Sequence, residues 1–211
     1  MRQEKINLRQ EQYQETRSKL LDSALKLFAQ NGYAGTQVRT INRSIGLADG
    51  LMYHYFPGGK KEILQVLIRE NFQNIVAELH DRGAGLTDLP VDGALEQVYR
   101  NADQVFTENL NLFRILIMES GGHELLEHEK MQMMLRNLRQ WLPNDLRRRA
   151  KAREIKEIDY ESASEILIAL MMDHFMKKLT NLAPARLSDP DYRKRLIAYQ
   201  VGLWKNPQLL G

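Results

Sequence analysis

The sequence contains no cysteine at any of its 211 positions. Disulfide bonds, thiolate catalysis and zinc sites built on cysteine are therefore excluded, and we expect a protein of the reducing cytoplasm. Long apolar runs are missing too, since EILIALMM and IAYQVGLW are too short and too interrupted to span a bilayer. The opening MRQEKINLRQEQYQE has no apolar run of signal-peptide length, so we expect no membrane partner.

Glycine and proline are also few, with 13 and 6 residues, which excludes collagen-like repeats and long flexible linkers. The net charge of +3 is unevenly distributed along the chain. Residues 1–62 hold ten Lys and Arg against six Asp and Glu, or +4, and the remainder holds 20 against 21, or −1. A basic N-terminal part favours a polyanionic partner.

Strand-like alternation is absent, and apolar residues recur at three- and four-residue spacing, which predicts an all-α fold. The first clear helix is predicted over 16–30, after a polar segment that we expect to be mobile, and Gly32 ends it. The later helices are predicted over 36–44, 48–55, 60–83, 91–109, 110–120, 124–139 with a continuation past Pro143, 160–182 and 190–204.

Two short predicted helices flank Gly46, which is the pattern of a helix-turn-helix. The first, capped by the hydroxyl of Thr36, would brace the motif, and the second would lie in a major groove about as wide as an α-helix. The side chains predicted to lock the two helices together are Ile41, Ile45, Leu47, Leu51 and Phe56. From these residues alone, a structural helical hairpin that binds no nucleic acid is an equal alternative.

Around this motif the sequence resembles the tetracycline-repressor (TetR) family of bacterial transcriptional regulators. The matching stretch, residues 20–64, is LLDSALKLFAQNGYAGTQVRTINRSIGLADGLMYHYFPGGKKEIL. It keeps the family order of an aliphatic helix, a threonine cap, the segment IGLADGLMYHYF and a lysine that opens the next long helix. The resemblance implies an N-terminal three-helix DNA-binding domain over 1–60. A C-terminal helical domain over 61–211 would bind a ligand and dimerise.

The resemblance also implies which residues contact DNA: Thr36, Arg39, Thr40, Asp49, Gly50, Met52, Tyr53, His54 and Lys60. Three positions depart from the family pattern. Asn42 stands where alanine is usual, and Ala48 replaces a frequent hydroxyl residue. Asp49 brings a carboxylate near phosphates, which is unfavourable unless it caps the helix or accepts from a cytosine amine.

For the second domain the family implies a ligand cavity and a homodimer interface. Methionines adapt to apolar ligands, although ordinary core packing explains them equally well. We predict a cavity near Phe106, Phe113, Met118 and Met134. The dimer interface is predicted on two helical stripes, either of which could be partly intramolecular core: Leu167, Leu170, Met171, His174 and Phe175, and then Leu196, Tyr199, Leu203 and Trp204.

Two further patterns resemble a metal site and a second nucleic-acid patch, but their spacing and charge do not support either. HELLEH, at 123–128, has its histidines five residues apart rather than four, so they do not share a helical face and we expect no metal site. The basic run at 147–149 is surrounded by acidic residues, so a solvated helix face is favoured over a second nucleic-acid patch.

We find no cluster of acid, base and nucleophile, so we expect neither an enzyme nor a cofactor. A dimeric adaptor that binds no DNA is the remaining rival. The resemblance to the TetR family implies a homodimeric repressor that binds a palindromic operator in double-stranded DNA. A small apolar or amphipathic effector would release it by shifting the population of its conformations.

Overall fold

The structure is a computed structural model of the chain, which describes residues 2–119 and 128–206. Within these ranges the chain forms α-helices and two 3-10 helices (Leu86–Asp88 and Arg186–Ser188) but no strand, so the all-α prediction is confirmed. The α-helices are α1 (Arg2–Gly35), α2 (Val38–Ser44), α3 (Met52–Tyr55), α4 (Gly59–Gly83), α5 (Val91–Glu108), α6 (Leu110–Glu119), α7 (His128–Lys151), α8 (Tyr160–Thr180) and α9 (Pro190–Lys205). None of these described helices combines the length and apolar character needed to cross a membrane.

The described residues divide into two compact units. Residues 2–73 and 111–119 form the N-terminal unit, and residues 74–110 and 128–206 form the C-terminal unit. The helix α4 contributes residues 59–73 to one unit and residues 74–83 to the other. The predicted domain boundary at residue 60 stays a prediction.

The core of the N-terminal unit forms where α1 packs against α2 and α3. Leu20, Ala24 and Phe28 of α1 are fully buried, as the helical periodicity predicts. Further buried side chains come from the other helices of the unit: Ile41, Met52, Phe56, Ile63 and Leu64. Burial of this apolar surface holds three helices together that are too short or too polar to be stable alone.

The helix α1 begins at Arg2, so the prediction that it starts at residue 16 after a mobile segment is wrong. Two contacts lie at or before the predicted start and stabilise this part of the helix. Lys19 Nζ lies 2.7 Å from Glu15 Oε1, one turn away on the same helix. The ring of Tyr13 packs on that of Tyr55, with 4.9 Å between the centroids. The segment therefore gains tertiary packing that its polar composition did not indicate.

The C-terminal unit is built from α5, α7, α8 and α9 around one apolar core. Tyr99 of α5 is fully buried, and its hydroxyl lies 2.9 Å from Gln200 Oε1 of α9, to which it donates a hydrogen bond. The largest apolar members of this core are Leu95, Leu142, Leu146, Leu167, Ile168, Met171, Ile197 and Trp204. The helix α7 continues through Pro143 to Lys151, as the sequence allowed.

Much of the predicted dimer interface belongs to this core. Leu167, Met171, His174, Phe175 and Trp204 are buried within the C-terminal unit itself, so their assignment to a surface between protomers is revised. The four residues of α8 face inward because α8 packs on α5 and α7, and Trp204 faces inward because α9 packs on α5. Burial lowers the pKa of His174, although its Nε2 lies 2.8 Å from the carboxylate of Asp103, which opposes that shift.

The basic run at 147–149 is only partly a solvated face. Arg147 and Arg148 are partly exposed, but Arg149 is buried, so the interpretation is wrong for this residue. Its guanidinium donates to Asp145 at 2.6 Å and to Glu154 at 2.8 Å. It also donates to the carbonyls of Leu86 and Leu89 at 3.0 and 2.8 Å. Arg149 thus fixes the loop before α5 to the end of α7.

We expect Arg149→Met to lower the free energy of unfolding by about 3–5 kcal/mol, because two partly buried carboxylates and two carbonyls lose the buried guanidinium that donates to them. Arg148→Met is the matched control, since Arg148 also bonds to Asp145, at 2.7 Å, but is about half exposed. Its loss should cost less than about 1 kcal/mol. Urea denaturation measures both values, and similar losses in the two variants would contradict the role assigned to Arg149.

Candidate nucleic-acid interface

The helix α2 supplies the bracing half of the motif. Ile41 is fully buried against the N-terminal core, whereas Arg39 and Thr40 are exposed on the outer side. The Arg39 guanidinium donates to the side chain of Gln37 at 2.6 Å, which directs it along the start of the helix. Two of the predicted DNA-contacting side chains are therefore available to a ligand.

Thr36 has a structural role that the sequence did not indicate. The N-cap of α2 is Gln37, without a side-chain capping bond, so the predicted Thr36 cap is wrong. Thr36 is buried, and its hydroxyl lies 2.8 Å from the carbonyl of Gly32 and 3.1 Å from that of Leu27. The side chain closes the end of α1, where Gly32 leaves the helical conformation at φ 73° and ψ 163°.

The turn between α2 and α3 depends on two glycines. Gly46 and Gly50 have φ values of 73° and 91°, in the left-handed region that side-chain-bearing residues rarely adopt. The amide of Leu47 donates to the carbonyl of Asn42 at 2.9 Å, which closes the end of α2. The chain is thereby redirected over a few residues, as a helix-turn-helix requires.

The helix α3 is shorter than predicted: it covers Met52–Tyr55, whereas the prediction was 48–55. Residues 48–51 form turns, with the amide of Leu51 donating to Ala48 and that of Tyr53 to Gly50. The inward side chain also differs. Met52 is fully buried and Leu51 is 40% exposed, so Met52 belongs to the core and the prediction that Leu51 is buried is wrong.

The outer side of the α3 segment presents polar and aromatic groups. Asp49, Gly50 and His54 are exposed, and Tyr53 is 51% exposed. The Tyr53 ring lies against Gly59, the first residue of α4, where a Cβ atom would stand only 2.9 Å from the ring. Because Gly59 also has φ 62°, glycine is required there on two grounds. The ring therefore packs closely on Gly59 while about half of the residue stays exposed.

The ammonium group of Lys60 is hydrogen-bonded to backbone carbonyls of the protein itself. Its Nζ donates to the carbonyls of Tyr33 at 2.7 Å and Thr36 at 2.9 Å, and it lies 4.2 Å from the centre of the Tyr33 ring. The ammonium therefore sits at the carboxyl end of α1, where the helix dipole favours a positive charge. This environment differs from the free side chain that a direct phosphate contact would need.

Asp49 is accompanied by a cation. Its Oδ2 lies 3.7 Å from the Arg43 guanidinium, and both side chains are more than half exposed. The pair offsets the negative charge that made Asp49 an unfavourable neighbour for phosphates. Sequence reasoning missed Arg43, because the six-residue separation crosses the turn and no helical spacing connects the two.

An aromatic cluster also escaped the sequence analysis. The ring of Tyr13 in α1 lies 4.9 Å from Tyr55 and 5.9 Å, edge to face, from His54. The available signal was its position seven residues before the buried Leu20, on the same face of a helix. The cluster attaches the N-terminal turns of α1 to the α3 segment.

The residues predicted for an effector cavity fall in both units. Phe106 packs on Phe175 in the C-terminal unit, with 4.7 Å between centroids, whereas Phe113 and Met118 belong to the N-terminal unit. The side chains of Met134 and His128 and the rest of the HELLEH segment, residues 123–127, lie outside the described part of the structure. In the described part of the chain, no three His, Asp or Glu side chains are grouped as metal ligands.

Comparison with known proteins agrees with this geometry. Residues 20–67 match the family described as bacterial regulatory proteins, tetR family. The transcriptional regulator LmrA of Bacillus subtilis is 33% identical over 81 residues, or 38% of this chain and 43% of LmrA. The chain therefore spans less than half the length of that relative in the match.

Solved structures resemble the chain over most of its length. A tetR-family regulatory protein from Rhodococcus RHA1 has a TM-score of 0.63 at 16% identity, covering 89% of this chain and 96% of that one. FadR from Bacillus subtilis, solved in complex with stearoyl-CoA, has a TM-score of 0.55 at 21% identity and covers 90% and 97%. At these identities the likeness concerns the fold.

The paired helices, the glycine turn and the following helical unit define a helix-turn-helix protein with a second, all-helical part. The motif and its spacing place it further: residues 20–67 match the tetR family of bacterial regulatory proteins, which is the family that this chain resembles.

Asn42 carries the first prediction for this motif. It is fully buried on α2, and neither its side-chain oxygen nor its nitrogen has a hydrogen-bond partner. A buried amide without partners costs about 1–3 kcal/mol. We expect Asn42→Leu, which has nearly the same shape, to raise the free energy of unfolding by about 1–2 kcal/mol.

The control for this prediction is Asn71→Leu on α4, because the Asn71 amide already donates to the Leu67 carbonyl at 2.8 Å. It should bring no gain. Chemical denaturation measures both variants, and a loss of stability at position 42 would show that the Asn42 amide is hydrogen-bonded in solution.

Proposed function

We propose that the chain is a cytoplasmic, homodimeric transcriptional repressor, which binds a palindromic operator and is released by a small apolar or amphipathic effector. The observation that carries the proposal is the two-sided α3 segment. Met52 is fully buried, so the segment is fixed to the core, while Tyr53 and His54 face outward. A rigid element with polar, exposed side chains fits the major groove.

The proposed contacts with DNA are the exposed members of the predicted set: Arg39, Thr40, Asp49, Gly50, Tyr53 and His54. Met52 is withdrawn, because its buried side chain does not reach a groove. Thr36 and Lys60 position the motif through their bonds to the backbone of α1. Arg43 joins the set, because its guanidinium is exposed beside Asp49 and is held there only by a solvated ion pair.

The effector proposal rests on the helical C-terminal unit and on the name of one structural neighbour. FadR was solved with stearoyl-CoA, an amphipathic acyl compound, which supports an effector of that general character. The helix α4 is a continuous element whose first residue, Gly59, touches Tyr53. An effector that favours a different tilt of α4 would move the DNA-contacting segment and lower the affinity for the operator.

The dimer proposal now uses the outward sides of α8 and α9. Ile166, Met172 and Met176 share the exposed side of α8, and Ile166 is 58% exposed. On α9, Tyr199 is 67% exposed and is flanked at three and four residues by Leu196 and Leu203, which are partly buried. These apolar groups would be covered by the same surface of a second protomer.

The contact assignment is tested with Arg39→Gln and Tyr53→Ala. Each should weaken binding about tenfold to a duplex selected from a random pool with the wild-type chain. Arg39→Gln should also reduce the slope of log K against log salt concentration by about one, because a phosphate contact is lost. Fluorescence anisotropy of the labelled duplex measures both quantities.

Arg69→Gln is the matched control, since Arg69 is an exposed arginine on α4 outside the motif. It should leave affinity and slope unchanged. Equal affinity of Arg39→Gln, Tyr53→Ala and the wild type would refute the contacts. No salt-dependent binding by the wild-type chain would refute the proposed function and favour a dimeric adaptor.

The dimer surface is tested with Ile166→Glu, which should shift the chain from dimer to monomer by placing a carboxylate in an apolar contact. Leu182→Glu is the control, because Leu182 is 87% exposed beyond the end of α8. Sedimentation analysis gives the oligomeric state. A wild-type monomer, or an Ile166→Glu dimer of unchanged stability, would contradict the assignment.

A further inference from the structure

We infer that the N-terminal turns of α1 form a second DNA-binding element, in which Arg9 contacts a phosphate beside the site covered by the α3 segment. This inference rests on the proposed function. The observation behind it is a surface groove of about 440 Å³, lined by Arg9, Gln12, Tyr13, Glu15, Thr16, His54 and Tyr55. Arg9 therefore lies on the same surface as two side chains of the α3 segment.

The aromatic cluster of Tyr13, His54 and Tyr55 fixes the position of Arg9 relative to the α3 segment. Tyr13 packs on Tyr55 at 4.9 Å and meets His54 edge to face at 5.9 Å, so α1 is attached to the α3 segment one turn after Arg9. A helix rises 1.5 Å per residue, and Arg9 is thus about 6 Å along the axis from the ring that anchors it. A phosphate next to the proposed groove contact is within reach of a guanidinium at that distance.

Charge along this part of α1 is sorted by face. In the sequence Arg2, Lys5 and Arg9 follow one another at three and four residues, the spacing of one helical face. Glu4, Glu11 and Glu15 follow at seven and four residues and form a different face. The segment has no net charge, so its composition hides a basic stripe that its helical spacing predicts, and Arg9, in this stripe, is exposed.

Arg9 differs from the next two cations along α1, Arg17 and Lys19, because both of these are engaged in ion pairs. Arg17 is paired with Glu70 at 3.0 Å and lies over the Phe56 ring at 5.2 Å, and Lys19 is paired with Glu15 at 2.7 Å. Among the described residues Arg9 has no such partner and is exposed. An unpaired guanidinium forms a phosphate contact without first breaking an internal ion pair.

The test compares Arg9→Gln with the wild-type full-length chain on the duplex selected with the wild type, by fluorescence anisotropy over a range of salt concentrations. We expect affinity to fall about three- to tenfold and the slope of log K against log salt to decrease by about one. Arg9→Lys should restore the slope, because it restores the charge. Lys26→Gln removes an equal charge from an exposed position later in α1 and should leave the slope unchanged.

The outcomes separate this inference from the function on which it rests. Wild-type binding with an unchanged Arg9→Gln slope would overturn the inference and leave the proposed function in place. A weaker Arg9→Gln affinity at an unchanged slope would also overturn it, since that result indicates a structural effect. No DNA binding by the wild type would overturn both.

Discussion

The ammonium group of Lys60 joins three helices of the N-terminal unit at one point. It donates to Tyr33 and Thr36, which end α1 and precede α2, and it is itself the second residue of α4. Hydrogen bonds from a charged donor contribute about 1.5–3 kcal/mol each. The geometry of the motif depends on these bonds. Gly59, which precedes Lys60, packs on the Tyr53 ring, and Thr36, which accepts from Lys60, closes the end of α1 with its hydroxyl.

With these helices joined, two contacts fix the orientation of the α3 segment relative to the N-terminal core. Its single turn of helix is held by Met52 in the core and by the fit of Tyr53 over Gly59. Such a short helix would not be stable alone, and its order comes from these contacts. The exposed side chains are thereby pre-organised, and a groove contact would cost little conformational entropy on binding.

Helix positions were predictable where apolar periodicity extends over several turns, as in α4, α5, α8 and α9, whereas the polar first turns of α1 carry no such period. The phase of α3 was not, since a four-residue helix carries no period and Gly50 at φ 91° interrupts the pattern. The burial of Arg149 was not predictable from the run of charges at 147–149. Two of its hydrogen-bond acceptors, the carbonyls of Leu86 and Leu89, lie about 60 residues away in the sequence. The predicted stripes on α8 and α9 contain buried residues such as Leu167 and Trp204 as well as the exposed Tyr199, because a pattern does not tell a core within one chain from an interface between two.

Charge placement in the motif explains how Asp49 is compatible with a polyanionic partner. Its pair with Arg43 spans 3.7 Å between two well-exposed side chains, and such a solvated pair contributes less than about 1 kcal/mol. In the proposed complex Arg43 would therefore be free to exchange Asp49 for a phosphate, whereas Lys60, bonded to two carbonyls, would not. Asp49 would then face the groove without its partner, and only a base with an exocyclic amine would accommodate it. The same carboxylate that weakens general affinity would in this way contribute to the choice of sequence.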